Sequence, residues 1–195
     1  MGPSGTAPAP RLATAADLTE DGREEVIHGR IVPKPRPSAE HSFAQFAFGG
    51  ILGRRFDRAA AGRWPGGWWM GIALEVEYGP HEVFLHDLGG WRREALPQLP
   101  TGRPPRTRPD WACELLTPGN SRHDCVDKLQ VLHASGVPHY WLADPVEHTL
   151  TVHRWEPNGY LIVLAAAAGE TVRAEPFEAV ELSLSVLFGV DDDVE

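Results

Sequence analysis

The chain has 195 residues, of which 42% are hydrophobic and 23% are charged. This composition is typical of one globular domain and excludes a wholly disordered, collagen-like or coiled-coil chain. The longest purely apolar run, Leu161 to Ala168, is far shorter than the ~20 residues that span a bilayer, so we expect no membrane-spanning helix. The net charge of −9 disfavours nucleic-acid binding through bulk electrostatics. Arginines between residues 92 and 108 still form a local basic segment, so any nucleic-acid surface must be local.

The ends of the chain differ in composition from its middle. Residues 1–16 are rich in Pro and Ala, without the basic and apolar regions of a signal peptide, and predict a flexible leader. Residues 17–188 then form one domain, and 189–195 form an acidic tail. The two cysteines, Cys113 and Cys125, lack the spacing of a disulfide framework or a zinc site. We therefore expect a cytoplasmic protein with reduced thiols.

The first half of the chain predicts two hairpins separated by a helix. Residues 24–34 predict two short strands around the turn His28-Gly29. A helix capped by Ser38 should follow and run towards Arg58, with an apolar repeat at helical spacing. That repeat comprises Phe43, Phe46, Ala47 and Ile51. Residues 68–78 and 82–88 predict a β-hairpin turned at Gly79-Pro80.

The second half predicts a strand–helix–strand unit. A Pro- and Arg-rich loop covers residues 89–109, followed by the apolar run WACELL at 111–116, which predicts a buried strand. Residues 121–135 predict a helix, and the strand that follows it should lie parallel to the first. Strands are predicted at residues 139–143, 149–155 and 160–165, and a helical turn at 183–188. The fold class is therefore α/β, with a mixed sheet flanked by helices.

Two acidic residues stand out in these strands. Asp87 ends the run EVFLHDL, and Glu114 lies within WACELL. A carboxylate in an apolar strand is costly to bury unless it is paired, protonated or bound to a cation. Mg²⁺, which one or two carboxylates can hold, would account for the pair. An ion pair between Glu114 and a loop arginine would account for it equally well.

Lysine is rare in this chain: of the 18 Lys and Arg residues, only Lys34 and Lys128 are lysines. Lys128 follows Asp124 by four residues on the predicted helix, the spacing of an ordinary surface ion pair. Alternatively, the helix brings Lys128 back over the acids, where its ammonium could stabilise a phosphoryl oxyanion or orient water.

Three segments resemble the Uma-type family of restriction-endonuclease-like proteins, within the PD-(D/E)XK nuclease superfamily. They are HDLGGWRREALP, PDWACELLTPGNSRHDCVDKL and GVPHYWLADPVEHTLTVHRW. The resemblance runs from about Leu18 to Phe188 and includes the early segment EEVIHGRIVPKPRPSAEH. It implies a restriction-endonuclease-like core, a mixed sheet of about five strands flanked by helices.

The resemblance also implies a site. Asp87 and Glu114 take the places of the two acidic ligands and would hold Mg²⁺ or Mn²⁺. Glu25 matches an acid in the opening strand, where it either completes the site through the metal or a bridging water or is an exposed hairpin acid. Leu116 stands where the superfamily has its lysine, so Lys128 would serve instead. The sequence departs further from the family at His86, where Pro is frequent, and at Arg30, where Glu is frequent.

The sequence leaves two functions open. The first is a metal-dependent endonuclease acting on DNA, in which Arg92 and Arg93 reach the phosphate backbone; a solvated loop explains these two arginines equally well. The second is a non-catalytic binding or interaction module that retains the nuclease fold, which Leu116 and the acidic balance favour. The sequence leaves homodimerisation open and predicts no membrane partner.

Overall fold

The computed structural model describes residues 11–20, 22–60, 63–119 and 121–190. Residues 191–195 of the predicted acidic tail and 1–10 of the predicted leader lie outside these ranges. The strands are β1 Glu24–Ile27, β2 Arg30–Pro33, β3 Trp68–Gly79, β4 Glu82–Arg92, β5 Trp111–Leu115, β6 His139–Asp144, β7 Thr149–Glu156, β8 Gly159–Ala167, β9 Thr171–Val172 and β10 Leu182–Ser183. The helices are α1 Ala39–Phe56, α2 Leu129–Ala134 and α3 Leu184–Phe188, with a 3₁₀ turn at Ala15–Asp17 and a π-helical segment at His123–Lys128.

One mixed sheet of eight strands organises the domain. Its order is β2-β1-β4-β5-β6-β7-β8, and β3 pairs with the other edge of β4. Strands β5 and β6 are parallel, as the strand–helix–strand pattern predicted, and the other pairs of this sheet are antiparallel. The predicted mixed sheet flanked by helices is thus confirmed, and it is larger than the expected five strands.

The opening hairpin forms where the sequence placed it. His28 and Gly29 both have positive φ angles, 50° and 70°, as a two-residue hairpin turn of the I′ type requires. The described part of the predicted leader lies against this turn, since Ala13 N donates a hydrogen bond to Gly29 O at 2.8 Å.

Helix α1 begins at the predicted cap but buries a different face from the one predicted. The Ser38 hydroxyl accepts a hydrogen bond from His41 N, a standard N-terminal cap. Phe43 and Phe46, which we assigned to the apolar repeat, are 71% and 81% exposed. The buried face instead consists of His41, Ala44, Phe48, Leu52 and Phe56. The prediction failed because aromatic residues on both sides of α1 create two competing apolar stripes at helical spacing.

The β3–β4 hairpin is longer than predicted. Strand β4 continues to Arg92, so the first residues of the predicted 89–109 loop are paired with β3. Gly89 and Gly90 have no side chains, so the hydrophobic pattern of the sequence does not show that the strand continues through them. A Cβ on Gly90 would lie 2.9 Å from Trp69 O, so the close approach of the two strands requires glycine there.

Hydrophobic residues cover both faces of the sheet. On one face, α1 and α3 pack on alternate residues of β5 and β6, including Trp111, Cys113 and Trp141. On the other face, Leu132 of α2 packs on Ala112 and Tyr140. Glu114 alternates with Cys113 along β5 and therefore points towards the α2 side. Among the described residues, no helix is long and apolar enough to cross a membrane.

Candidate active site

The site lies in a gap in the sheet along one edge of β4. Near its beginning β4 pairs with β1 at Val83, and further along it pairs with β5 from Leu88 to Gly90. Between these contacts, side chains take the place of a neighbouring strand. Leu85 N donates to Glu25 Oε1 at 2.8 Å, and Lys34 Nζ donates to Leu85 O at 2.6 Å. Charged side chains therefore point into the gap and bind the backbone of β4.

Asp87 and Glu114 lie where β4 and β5 separate. The last pair in the ladder is Leu88 with Cys113, and the next pair in the same register would be Asp87 with Glu114. Like charges directly opposite each other are unfavourable in a sheet. Instead, Leu115 N donates to Asp87 Oδ2 at 2.9 Å, and a cation lies between the acids.

That cation is the ammonium of Lys34. Its Nζ lies 3.0 Å from Asp87 Oδ1 and 2.7 Å from Glu114 Oε2. All three partners are nearly or wholly enclosed, with 7%, 2% and 0% of the residue exposed. The two acids singled out in the sequence are therefore brought together.

Asp87 is also held by two side chains of α1, and the β3 residue across from it has an unusual backbone conformation. His41 Nε2 lies 3.3 Å from Asp87 Oδ2, and Gln45 Nε2 donates to Asp87 O at 2.8 Å. In the register of β3 and β4, Ala73 is the residue facing Asp87, and its φ angle is 50°. A positive φ at alanine is an uncommon, strained conformation of the kind that clusters at functional sites.

Glu114 binds three cationic or hydrogen-bonding side chains. Besides Lys34, His86 Nδ1 lies 2.7 Å and Lys128 Nζ 3.0 Å from Glu114 Oε1. His86 Nε2 is in turn 2.7 Å from the hydroxyl of Tyr78. An ion pair between Glu114 and a loop arginine, considered from the sequence, is not what the structure shows.

Lys128 is wholly buried and bridges three acids. Its Nζ lies 2.7 Å from Glu25 Oε1, 3.0 Å from Glu114 Oε1 and 2.9 Å from Asp124 Oδ1. The pair with Asp124 considered from the sequence does form, but in the protein interior and not on the surface. The π-helical segment carries both residues, and such segments occur frequently at functional sites.

Electrostatic interactions oppose desolvation in this cluster. Burial alone would raise the pKa of Glu114, but Lys128, Lys34 and His86 outweigh it and hold that pKa well below its usual range. For Lys128, burial favours the neutral amine, yet Glu114, Glu25 and Asp124 raise its pKa well above the usual value. At Asp124 burial dominates over Lys128 and raises the pKa to about 6. Glu114 and Lys128 therefore remain charged at neutral pH.

The donor set fits a hard divalent cation. The buried cluster contains four carboxylates and two ammonium groups, which leaves a formal charge of −2 when its histidines are neutral. Glu25 Oε2 is buried without a hydrogen-bond partner. Within the described ranges, no three His, Cys, Asp or Glu side chains are arranged to hold a metal. Mg²⁺, however, is commonly held by one or two carboxylates with water completing its shell, which suits Asp87 and Glu114.

Arg92 and Arg93 lie apart from the acids, at the far end of β4. Arg93 Nε donates to Trp68 O at 2.7 Å, and its guanidinium lies 3.4 Å from the centroid of the Trp69 ring. Arg92 stacks on Trp68 at 4.7 Å. At ~3.3 Å per strand residue, Arg92 is roughly 17 Å from Asp87 along the strand.

A cavity of about 570 Å³ lies beside the gap without containing its acids. It is lined mainly by apolar side chains, among them Trp69, Leu74, Trp91 and Leu99, and it reaches the gap only at Leu85. The charged chemistry of the molecule is therefore concentrated in the sheet gap and not in this cavity.

Several residues of the cluster were not singled out as site residues from the sequence. Lys34 lies at the exit of β2, and His41 and Gln45 lie on α1, far from the acids in the chain. The rarity of lysine was a usable signal, and it applied to Lys34 as much as to Lys128. His86 was noted as a departure from the family pattern, but its contact with Glu114 was not predicted.

The family model of Uma2, described as "Putative restriction endonuclease", matches residues 11–187. The chain belongs to the Uma2 family. This match confirms the resemblance inferred from the sequence, and it includes every residue of the buried cluster.

A solved structure has the same fold as this Uma2 chain. It is that of a protein from Anabaena variabilis described as a putative nuclease belonging to DUF820. The TM-score is 0.68 and the identity 22%, over 91% of this chain and 98% of the other. At this identity the similarity establishes the fold. No curated protein matches the sequence significantly.

Proposed function

We propose that this Uma2 protein is an enzyme that hydrolyses DNA phosphodiester bonds with Mg²⁺ or Mn²⁺. The observation that carries the proposal is the convergence of Asp87 and Glu114 on one cation position, at 3.0 and 2.7 Å from the same atom. Family membership supports a nuclease-like function, and the two acids supply the hard oxygen donors that such chemistry requires.

Asp87 and Glu114 would hold the cation, and the unpartnered Glu25 Oε2 could accept a hydrogen bond from one of its waters. A bound divalent ion supplies Lewis acidity at the phosphate and lowers the pKa of a water nucleophile. The protein's own part is to hold the carboxylates in place. Lys128 Nζ lies 2.7 Å from Glu25 Oε1 and 3.0 Å from Glu114 Oε1, so we assign it as a positioning residue and not as a group that touches the phosphate.

DNA is the proposed partner, with Arg92 and Arg93 as backbone contacts. Their side chains are 40% and 24% exposed, so both retain surface for a phosphate. At about 3.4 Å of helix axis per phosphate of one strand, a separation of roughly 17 Å along β4 corresponds to about five nucleotides between the acids and Arg92. The free thiols of Cys113 and Cys125 suit the cytoplasmic location that we propose.

A non-catalytic module with the nuclease fold is the second candidate. The observation that favours it is the Lys34 ammonium, which already compensates Asp87 and Glu114. Such a protein would bind its partner through the fold and would need no divalent ion.

Plasmid cleavage distinguishes the two functions. Purified protein is incubated with supercoiled plasmid or single-stranded DNA, with Mg²⁺, Mn²⁺ or excess chelator. The enzyme should nick DNA only with metal, and Asp87→Asn or Glu114→Gln should lower the rate at least about a hundredfold. Glu147→Gln, an exposed acid outside the cluster, is the matched control and should cleave normally. Absence of cleavage by folded wild type with either metal would refute the enzyme and favour the binding module.

A further inference from the structure

The Lys34 ammonium has the surroundings of a bound metal ion. Its three acceptors are Asp87 Oδ1, Glu114 Oε2 and Leu85 O, at 3.0, 2.7 and 2.6 Å. Two carboxylates and a backbone carbonyl are the oxygen ligands that hard divalent cations take in proteins. An ammonium has three N–H donors, so this contact set satisfies all of them.

We propose that Lys34 is a tethered cation that occupies the divalent-metal position of the site and competes with the ion for it. The inference rests on the proposed function only for the identity of the metal position. The ammonium keeps Asp87 and Glu114 together without metal, and divalent binding requires Lys34 Nζ to leave them.

The position of Lys34 allows its ammonium to move away from Asp87 and Glu114, whereas Lys128 is fixed among its acids. Lys34 follows the last residue of β2, in the connection to α1, and is 7% exposed. Lys128 is 0% exposed on a helical segment and is bound on several sides by acids. Of the two cations, only Lys34 touches both Asp87 and Glu114.

The charge of the cluster sets the direction of the effect. With Lys34 in place, a divalent ion meets a position already occupied by a positive charge. Replacing Lys34 with methionine keeps most of the side-chain length and removes that charge, so the two carboxylates become available to the ion. Coulomb attraction between charges in a buried site is large, which makes a clear gain in affinity the expected result.

The first test measures Mn²⁺ affinity by calorimetry and by the loss of the free Mn²⁺ signal in electron paramagnetic resonance. Lys34→Met should bind Mn²⁺ at least tenfold more tightly than wild type, and adding Glu114→Gln should cancel the gain. Arg36→Met, in the same connection and exposed, is the matched control and should bind like wild type. Equal affinity of wild type and folded Lys34→Met would overturn the proposal.

A second test uses the wild-type protein and stands even if Lys34→Met does not fold. Because the chain has only two lysines, acetylation by an amine-reactive ester can be followed at each of them by peptide mass spectrometry. Mg²⁺ at saturating concentration should raise the labelling rate of Lys34 several-fold and leave Lys128 unlabelled. An unchanged Lys34 rate under saturating Mg²⁺ would overturn the proposal.

Plasmid cleavage separates this inference from the proposed function. Tighter Mn²⁺ binding by Lys34→Met, with no cleavage by any variant, would support the tethered cation and refute the nuclease. Metal-dependent cleavage by wild type, with no gain in affinity for Lys34→Met, would refute the tethered cation and leave the nuclease standing.

Discussion

Replacement of Lys128 with methionine should strongly destabilise the protein. The ammonium bridges Glu25, Glu114 and Asp124 at 2.7 to 3.0 Å, and all four residues are at most 2% exposed. Removing one partner from a buried ion pair typically costs about 3–5 kcal/mol, because the remaining charge stays desolvated and unpaired. Three carboxylates share Lys128, so we expect the upper part of that range.

Urea denaturation followed by circular dichroism measures the loss in the free energy of unfolding. In a thermal scan of a chain of this size, a loss of about 3–5 kcal/mol lowers the melting temperature by about 6–20 °C. Arg54→Met, an exposed substitution of a basic residue on α1, is the control and should change the free energy of unfolding by less than about 0.5 kcal/mol.

Compensating substitutions test the mechanism of the loss. Adding Asp124→Asn and Glu25→Gln to Lys128→Met removes two of the stranded charges and should recover part of the stability, or restore folding if the single variant is unfolded. A loss below about 1 kcal/mol for Lys128→Met, as expected for an exposed helix pair, would refute the buried network. So would a triple variant no more stable than the single one.

Two further predictions concern the DNA surface and pH. Replacing Arg92 and Arg93 with alanine should weaken DNA binding and flatten its dependence on salt in gel shifts, because fewer counterions are released; unchanged affinity and slope would remove these residues from the interface. Asp124 has a folded pKa of about 6, above its ordinary value of 3.8, so its contribution to stability is fully present below pH ~4 and is lost as the pH rises through 6. Asp124→Asn should remove this fall in the free energy of unfolding between pH 4 and 7.5, which amounts to roughly 3 kcal/mol. Parallel stability profiles of variant and wild type in urea titrations from pH 4 to 7.5 would contradict the assignment.

The sequence predicted the sheet better than it predicted the site. Strands such as β5 are local apolar runs bounded by turn residues, and that signal needs no tertiary information. The acids Asp87 and Glu114 were found because a charge within an apolar strand is conspicuous. Their partners were not found by the same reasoning, since Lys34 contacts Glu114 across a separation of 80 residues. The residues next to Lys34 in the sequence do not indicate that its side chain fills the gap along β4, between the contacts of β4 with β1 and with β5.

The register of β4 and β5 explains why the charged cluster forms at all. Continuing the ladder by one pair would set Asp87 opposite Glu114, so the strands separate there and leave backbone groups of β4 to side chains. Well-packed hydrophobic residues are often as stabilising as a buried ion pair, or more so. Stability alone therefore does not account for four carboxylates in the interior, and we propose that two of them, Asp87 and Glu114, are there to hold a cation. In the structure the Lys34 ammonium is the cation between Asp87 and Glu114. Exchange of this ammonium for a divalent ion would give the site the Lewis acid that phosphodiester hydrolysis requires.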